Sequence, residues 1–67
     1  LPPLLDRVAV FMANQWRETP IYQRSDLQPF DCLTGPAIII EKISTIVIEP
    51  GWMAKLTEKN HLILSKD

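Results

Sequence analysis

The side chains with the greatest chemical potential are Cys32 and His61, the one cysteine and the one histidine among 67 residues. A thiol and an imidazole can act as nucleophile and base if they lie within hydrogen-bond reach and a third group orients the base. Nothing in their positions supplies that arrangement. We interpret Cys32 as a small buried thiol and His61 as a half-exposed strand residue, and predict no catalytic pair.

The chain also lacks the residues that a metal site or a phosphate-binding loop would need. Zinc sites use three or four N/S ligands, more than one Cys and one His supply, and no Asp/Glu cluster has the spacing of a calcium loop. Asp26 and Asp31 flank Pro29, and loop carboxylates of this kind are ordinarily turn formers. A phosphate cradle needs several glycines, whereas Pro36 removes a backbone donor. We therefore predict no catalytic, cofactor or metal residues in this chain.

Length and charge narrow the classes of function further. A chain of 67 residues supports one domain with a small core. Seven basic and eight acidic residues give a net charge of −1, without the basic patch that nucleic acid or anionic lipid would require. The longest apolar run, residues 37–40, is too short to span a membrane, and no signal peptide is evident. We predict a cytoplasmic protein, and the start at Leu1 without Met suggests a fragment of a longer one.

The elements that would position any site are short strands separated by turns, which is typical of an all-β fold. Residues 52–57 alternate with a period of two, and Pro50-Gly51 before them matches a type II turn, so we predict a hairpin of residues 44–48 and 52–56. A second connection at 57–60, ending in Asn60, predicts a strand at 61–64 and a three-stranded meander. The apolar run at 37–40 predicts a strand covered on both faces.

The N-terminal part allows two interpretations. Apolar residues between 4 and 13 fit a helical spacing, yet Val8, Val10 and Met12 also alternate as in a strand that turns at Asn14-Gln15 into a strand from 16 to 22. The period does not decide between them. Farther along, Ser25 is a candidate cap for one helical turn that Pro29 ends.

Aromatic and turn residues have structural roles in this interpretation. Trp16, Tyr22 and Trp52 could stack on single-stranded nucleic acid, but without a basic groove we favour core or interface packing. Trp16 and Trp52 lie beside turns and are our candidates for an interface between domains or subunits. The four turn residues that we expect to fix strand register are Gly35, Pro36, Pro50 and Gly51.

An ordered set of short motifs resembles the C-terminal region of the hydantoinase A/5-oxoprolinase family. The resemblance covers about residues 8–64 and departs from the family at two loops: Phe30 stands where the family often has Gly, and Asn60-His61-Leu62 replaces Gly-Asn-Leu. The matching residues are Trp16, Thr19-Pro20-Ile21-Tyr22, Arg24, Asp26-Leu27, Thr34-Gly35-Pro36-Ala37-Ile38-Ile39, Ser44-Thr45, Val47, Pro50-Gly51-Trp52 and Leu62-Ile63-Leu64.

This resemblance implies a large cytoplasmic parent enzyme that hydrolyses cyclic amides such as 5-oxoproline or hydantoins. In the family, ATP activates the amide oxygen so that water can open the ring, and the ATP and divalent-metal machinery lies upstream. We therefore expect residues 1–67 to be one non-catalytic C-terminal accessory domain, a small barrel or sandwich of about six strands. Its implied partners are the remaining parent domains and a hydantoinase B-type subunit. The alternative is a freestanding β-barrel binding module.

Overall fold

The computed structural model describes residues 2–67 and contains short strands with a single 3₁₀ turn. The prediction of a small all-β domain with one helical turn is confirmed, and residues 2–67 form seven strands where about six were expected. Within the described residues, no helix is long and apolar enough to cross a membrane. The elements are β1 (Asp6–Met12), β2 (Gln15–Gln23), the 3₁₀ turn (Arg24–Asp26), β3 (Cys32–Thr34), β4 (Ala37–Ile40), β5 (Thr45–Ile48), β6 (Trp52–Leu56) and β7 (Leu62–Lys66).

Two sheets form the domain. One has the strand order β1-β2-β4-β5 and the other has the order β3-β6-β7. All neighbours are antiparallel except β2 and β4, which run parallel with Tyr22 beside Ile39. Because parallel neighbours need a crossover connection, the chain between them passes through the 3₁₀ turn and β3. This crossover places β3 in the second sheet.

The core combines side chains from both sheets, which makes the arrangement a sandwich rather than two independent hairpins. Each fully buried Ile or Leu contributes about 1.5–3 kcal/mol to the free energy of unfolding. Tyr22, Ile46 and Leu62 pack against the core from its margin. The buried cluster comprises Leu27, Leu33, Ala37, Ile39, Ile48, Ala54 and Leu56.

The ambiguous N-terminal segment is a strand and not a helix. β1 pairs with β2 over its whole length, from Asp6 opposite Ile21 to Met12 opposite Gln15. The turn between them lies at Ala13-Asn14, one residue earlier than predicted, where both residues have positive φ of 53° and 63°. Two consecutive positive φ values define the I′ turn whose twist matches a tight hairpin, so this turn favours the strand over the helix.

The predicted hairpin of residues 44–48 and 52–56 is wrong, and so is the three-stranded meander. β5 pairs with β4, whereas β6 is the centre of the other sheet between β3 and β7. The short strand β3 carries only three residues and had no period that sequence analysis could detect. The predicted pairing of the last two strands is confirmed, with β6 antiparallel to β7 and Asn60 at a φ of 67°.

Two smaller predictions also need correction. The β4 strand is not covered on both faces: Ala37 and Ile39 are buried, but Ile38 and Ile40 on the opposite face are half-buried. The helical turn begins at Arg24 and not after Ser25, and no side chain caps it. Because a 3₁₀ turn this short has few unpaired N–H groups, it forms without a cap.

Candidate functional site

Cys32 and His61 do not form a catalytic pair in the described part of the chain. Cys32 lies on the edge strand β3 with an exposed thiol, and His61 is exposed in the connection before β7. Both placements differ from the buried thiol and half-exposed strand histidine that we predicted. The β3 strand is too short to bury both of its faces, so its alternate residues Cys32 and Thr34 point outward while Leu33 enters the core. Residues 2–67 contain no hydrogen bond between the two side chains.

Of the two loop carboxylates Asp26 and Asp31, the second has a role in local structure. One oxygen of Asp31 accepts a hydrogen bond from the backbone N–H of Gln28 at 2.9 Å, as a turn-forming Asp does. Asp26 ends the 3₁₀ turn and is exposed. In the portion that the structure describes, no group of three His, Cys, Asp or Glu side chains could hold a metal ion.

The connections at Gly35-Pro36 and Pro50-Gly51 contact each other. Gly35 donates its N–H to the carbonyl of Trp52 at 2.8 Å, and Trp52 donates its own N–H to the carbonyl of Glu49 at 3.1 Å. A Cβ built on Gly35 would collide with the carbonyl of Glu49. Gly51 has a φ of +86°, which glycine adopts without strain. The two glycines therefore meet different demands, close approach at Gly35 and backbone conformation at Gly51.

Different parts of the domain hold Trp16, Tyr22 and Trp52, for which we favoured core or interface packing over a shared stacking surface. Tyr22 packs on the core, Trp16 lies at the tip of the β1–β2 hairpin, and Trp52 lies beside Val47 and Leu64 in a small cleft of about 190 Å³. Trp16 is 70% exposed and Trp52 is 38% exposed. The three rings therefore cannot act as one stacking platform.

The hairpin tip carries an aromatic pair that sequence analysis missed. Phe11 lies opposite Trp16 in the register, and their ring centroids are 5.6 Å apart at an interplanar angle of 71°. The Nε of Arg17 donates to the carbonyl of Met12 at 3.2 Å and fastens the end of the hairpin. Edge-to-face pairs of this geometry hold both rings in place. The tip therefore presents a preordered aromatic surface, and the I′ turn that pairs the two positions was the missing signal.

A second exposed apolar group lies on the outer face of the β3-β6-β7 sheet. Phe30 and Ile63, which are 66% and 55% exposed, line a cleft of about 540 Å³ together with Lys55, Lys59 and His61. Thr57 and Glu58 complete its wall. His61 also lines a neighbouring cleft of about 820 Å³ that contains Arg24 and Lys42. Apolar centres with polar rims are the usual composition of a protein interface.

A family model described as Hydantoinase/oxoprolinase C-terminal domain matches residues 4–66. The chain belongs to this family. The match confirms the resemblance that the turn and strand motifs indicated, and extends it to almost the whole chain.

Relatives of this hydantoinase/oxoprolinase C-terminal domain are far longer than it is. The 5-oxoprolinase PfmaA of Pestalotiopsis fici is 37% identical over 57 residues, which are 85% of this chain and 4% of that protein. The caprolactamase subunit alpha of Pseudomonas jessenii is 30% identical over 43 residues, which are 64% of this chain and 6% of the relative. The chain thus spans about one twentieth of these relatives.

The nucleotide-free structure of acetone carboxylase, from work on ATP-dependent acetone carboxylation, contains the same fold. It superposes with a TM-score of 0.85 at 22% identity, covering 98% of this chain and 10% of that one. At this identity the likeness concerns the fold. The two-sheet arrangement of the hydantoinase/oxoprolinase C-terminal domain therefore recurs within a much larger polypeptide.

Proposed function

We propose that this domain is the non-catalytic C-terminal part of a larger cytoplasmic enzyme that uses ATP to hydrolyse a cyclic amide, such as 5-oxoproline or a hydantoin. The observation that carries the proposal is the family match over residues 4–66. A relative named 5-oxoprolinase supports the chemistry, and its length supports a parent in which residues 1–67 are one accessory domain.

The role of the domain itself is structural. Eleven large hydrophobic side chains of the described residues are exposed, and some of them are grouped, as Phe11 is with Trp16 and Phe30 is with Ile63. Trp16 at the hairpin tip and Trp52 at the start of β6 are interface residues in this proposal, since aromatic side chains commonly anchor contacts between domains. The four turn residues Gly35, Pro36, Pro50 and Gly51 hold the strands in the register that displays these surfaces.

ATP and its divalent metal bind elsewhere in the parent enzyme. In support, the described part of this domain gathers no three potential metal ligands, and the N–H of Gly35 is already bonded to Trp52. The caprolactamase relative is named as a subunit alpha, which supports a parent with more than one subunit. We propose a hydantoinase B-type subunit as a further partner, with Trp16 and Trp52 as the candidate contacts.

The experiment compares ATP hydrolysis by the pure 67-residue chain and by the full-length parent, each with and without 5-oxoproline or hydantoin. We expect substrate-dependent ATP hydrolysis by the parent and none by the pure chain. A Cys32→Ser variant of the parent should retain full activity, because the exposed thiol has no catalytic role. ATP turnover by the pure chain that is lost in Cys32→Ser would overturn the proposal. Specific binding of a small ligand by the pure chain would instead favour a freestanding binding module.

A further inference from the structure

Phe30 has a backbone conformation that phenylalanine rarely adopts. Its φ is 74°, and it occupies the third position of a turn in which Asp31 donates its N–H to the carbonyl of Gln28 at 3.0 Å. Pro29 fixes the second position near −65°, so the turn is type II, which requires positive φ at the third residue and favours Gly or Asn there. A bulky residue at positive φ is a genuine outlier and is strained.

Hydrogen bonds to the neighbouring strand hold this conformation. Phe30 donates its N–H to the carbonyl of Leu56 at 2.7 Å, and Leu56 donates back to the carbonyl of Asp31 at 2.9 Å. The carboxylate of Asp31 also accepts the N–H of Gln28. The second half of the turn, Phe30-Asp31, is therefore hydrogen-bonded to the last residue of β6. Such over-determined surroundings are the condition under which a strained residue persists.

Packing within the domain does not compensate for the strain, since 66% of Phe30 is exposed. Its ring lies in the cleft with Ile63, which is itself 55% exposed on the edge strand β7. Two large apolar side chains are thus displayed together on a rigid support. Rigid aromatic anchors of this kind lose little conformational freedom when a partner covers them.

The charged side chains around Phe30 and Ile63 indicate what kind of partner would cover these two residues. The Phe30 cleft and the adjoining cleft are lined by four cationic side chains and only two glutamates, although the whole chain has a net charge of −1. His61 lies between the two clefts. An excess of cationic side chains along two adjoining clefts favours an acidic partner. The cations are Arg24, Lys42, Lys55 and Lys59, and the glutamates are Glu41 and Glu58.

We infer that Phe30, Lys55, Lys59, His61 and Ile63, here called the Phe30 surface, dock this domain onto an apolar segment with acidic flanks in the same polypeptide. This inference rests on the proposed function, because the occupant is the body of the parent. Relatives in which this fold is 4% or 6% of the length have ample chain to supply such a segment. Phe30 is kept in a strained position because its exposed ring anchors the contact.

The test uses the full-length parent and two readouts. Zero-length carbodiimide coupling, which joins lysine amines to carboxylates, should link Lys55 or Lys59 to acidic residues of the same polypeptide that lie outside this domain. Limited proteolysis of the connection between the body and this domain should be about tenfold faster in Phe30→Asn, as expected for loss of an interface anchor. Asn tolerates positive φ, so the turn itself should remain intact in that variant. The double variant Lys55→Glu and Lys59→Glu should accelerate cleavage as well.

Matched controls separate docking from general effects. Ile43→Asn removes a large apolar side chain that is 93% exposed in another loop, and it should leave the cleavage rate unchanged. An unchanged rate in Phe30→Asn would overturn the inference. So would couplings found solely between two isotopically distinct polypeptides, which would place a second copy or a separate subunit on the surface. Neither readout depends on ATP turnover, so a parent that docks this domain but hydrolyses no cyclic amide would contradict the proposed function alone.

Discussion

Two turns of this domain share one backbone conformation but differ in the residue at their third position. Glu49–Trp52 and Gln28–Asp31 each have proline second, a positive φ third and a hydrogen bond between the first and fourth residues. Gly51 occupies the third position of one turn, and Phe30 occupies it in the other. A Cβ on Gly51 would meet no atom within 4 Å, so conformation and not space selects glycine there. The comparison indicates that folding alone would favour glycine at position 30 too.

The largest effect on stability should come from Gly35→Ala, because residue 35 lies outside the Glu49–Trp52 turn but packs directly against its backbone. The new Cβ would collide with the backbone of Glu49, where no flexible side chain can yield, and would disturb the hydrogen bond from Gly35 to Trp52. We expect a loss of about 3 kcal/mol or more in the free energy of unfolding. Urea denaturation followed by tryptophan fluorescence measures it. A loss below about 1 kcal/mol would show that the two connections can move apart.

Gly51→Ala should have the next largest effect, because a residue with a Cβ would then have positive φ in the Glu49–Trp52 turn, as Phe30 has in the other turn. The cost should be about 1–2 kcal/mol, from the left-handed conformation alone. Gly51→Asn is the matched control and should cost less, since Asn tolerates this conformation. The same denaturation experiment applies. Equal losses for Ala and Asn would mean that φ at position 51 is not the determining factor.

Substitutions that relieve the strain at Phe30 should have a smaller effect and should increase stability. Phe30→Asn should raise the free energy of unfolding of the 67-residue chain by about 1 kcal/mol. Phe30→Gly should raise it by about 0.5 kcal/mol, because glycine gains freedom in the unfolded chain. Thermal denaturation of both variants beside wild type provides the measurement. A loss of stability in both variants would show that the ring contributes more by packing than its backbone costs.

The smallest effect on stability is expected at the tip of the β1–β2 hairpin, where a third turn also contains a residue with positive φ. Ala13 has a φ of 53° in the I′ turn before Asn14. Replacing it with glycine removes a mild strain but adds freedom to the unfolded chain, so the gain should be about 0.5 kcal/mol. Thermal denaturation should detect the shift with Phe11 and Trp16 intact. A decrease would indicate that Ala13 has contacts beyond its backbone role.

The sequence predicted those features that depend on local chemistry. Alternation at residues 52–56 identified β6, Asn60 was recognised as a left-handed residue, and the fold class followed from short apolar runs between turns. The pairing of β6 with β7 was also predicted, but the partners of β3, β4 and β5 were not. β5 and β6 are joined by a tight turn yet lie in different sheets, because β3 and β4 occupy the neighbouring positions through contacts distant in sequence.

The candidate surface was harder to predict than the fold. Trp16 stood out by residue type, but its edge-to-face pairing with Phe11 depends on the register of β1 and β2. Phe30 follows Pro29, and that dipeptide was a usable signal: proline at the second turn position with a bulky residue at the third predicts either a different turn or strain. The grouping of Lys55 and Lys59 with Ile63 depends on the register of β6 and β7, in which Lys55 lies opposite Ile63, and the predicted pairing did not specify that register.

The docking role of the strained Phe30 is tested most directly by hydrogen exchange across the full-length parent in wild type and Phe30→Asn, read by mass spectrometry. We predict opposite changes within one domain: slower exchange in peptides that cover the core strand β4, because the turn is relaxed, and faster exchange in peptides of 28–32 and 61–66, because the docking segment is released. Unchanged exchange at 28–32 and 61–66 would contradict the claim that the strained Phe30 is kept for docking.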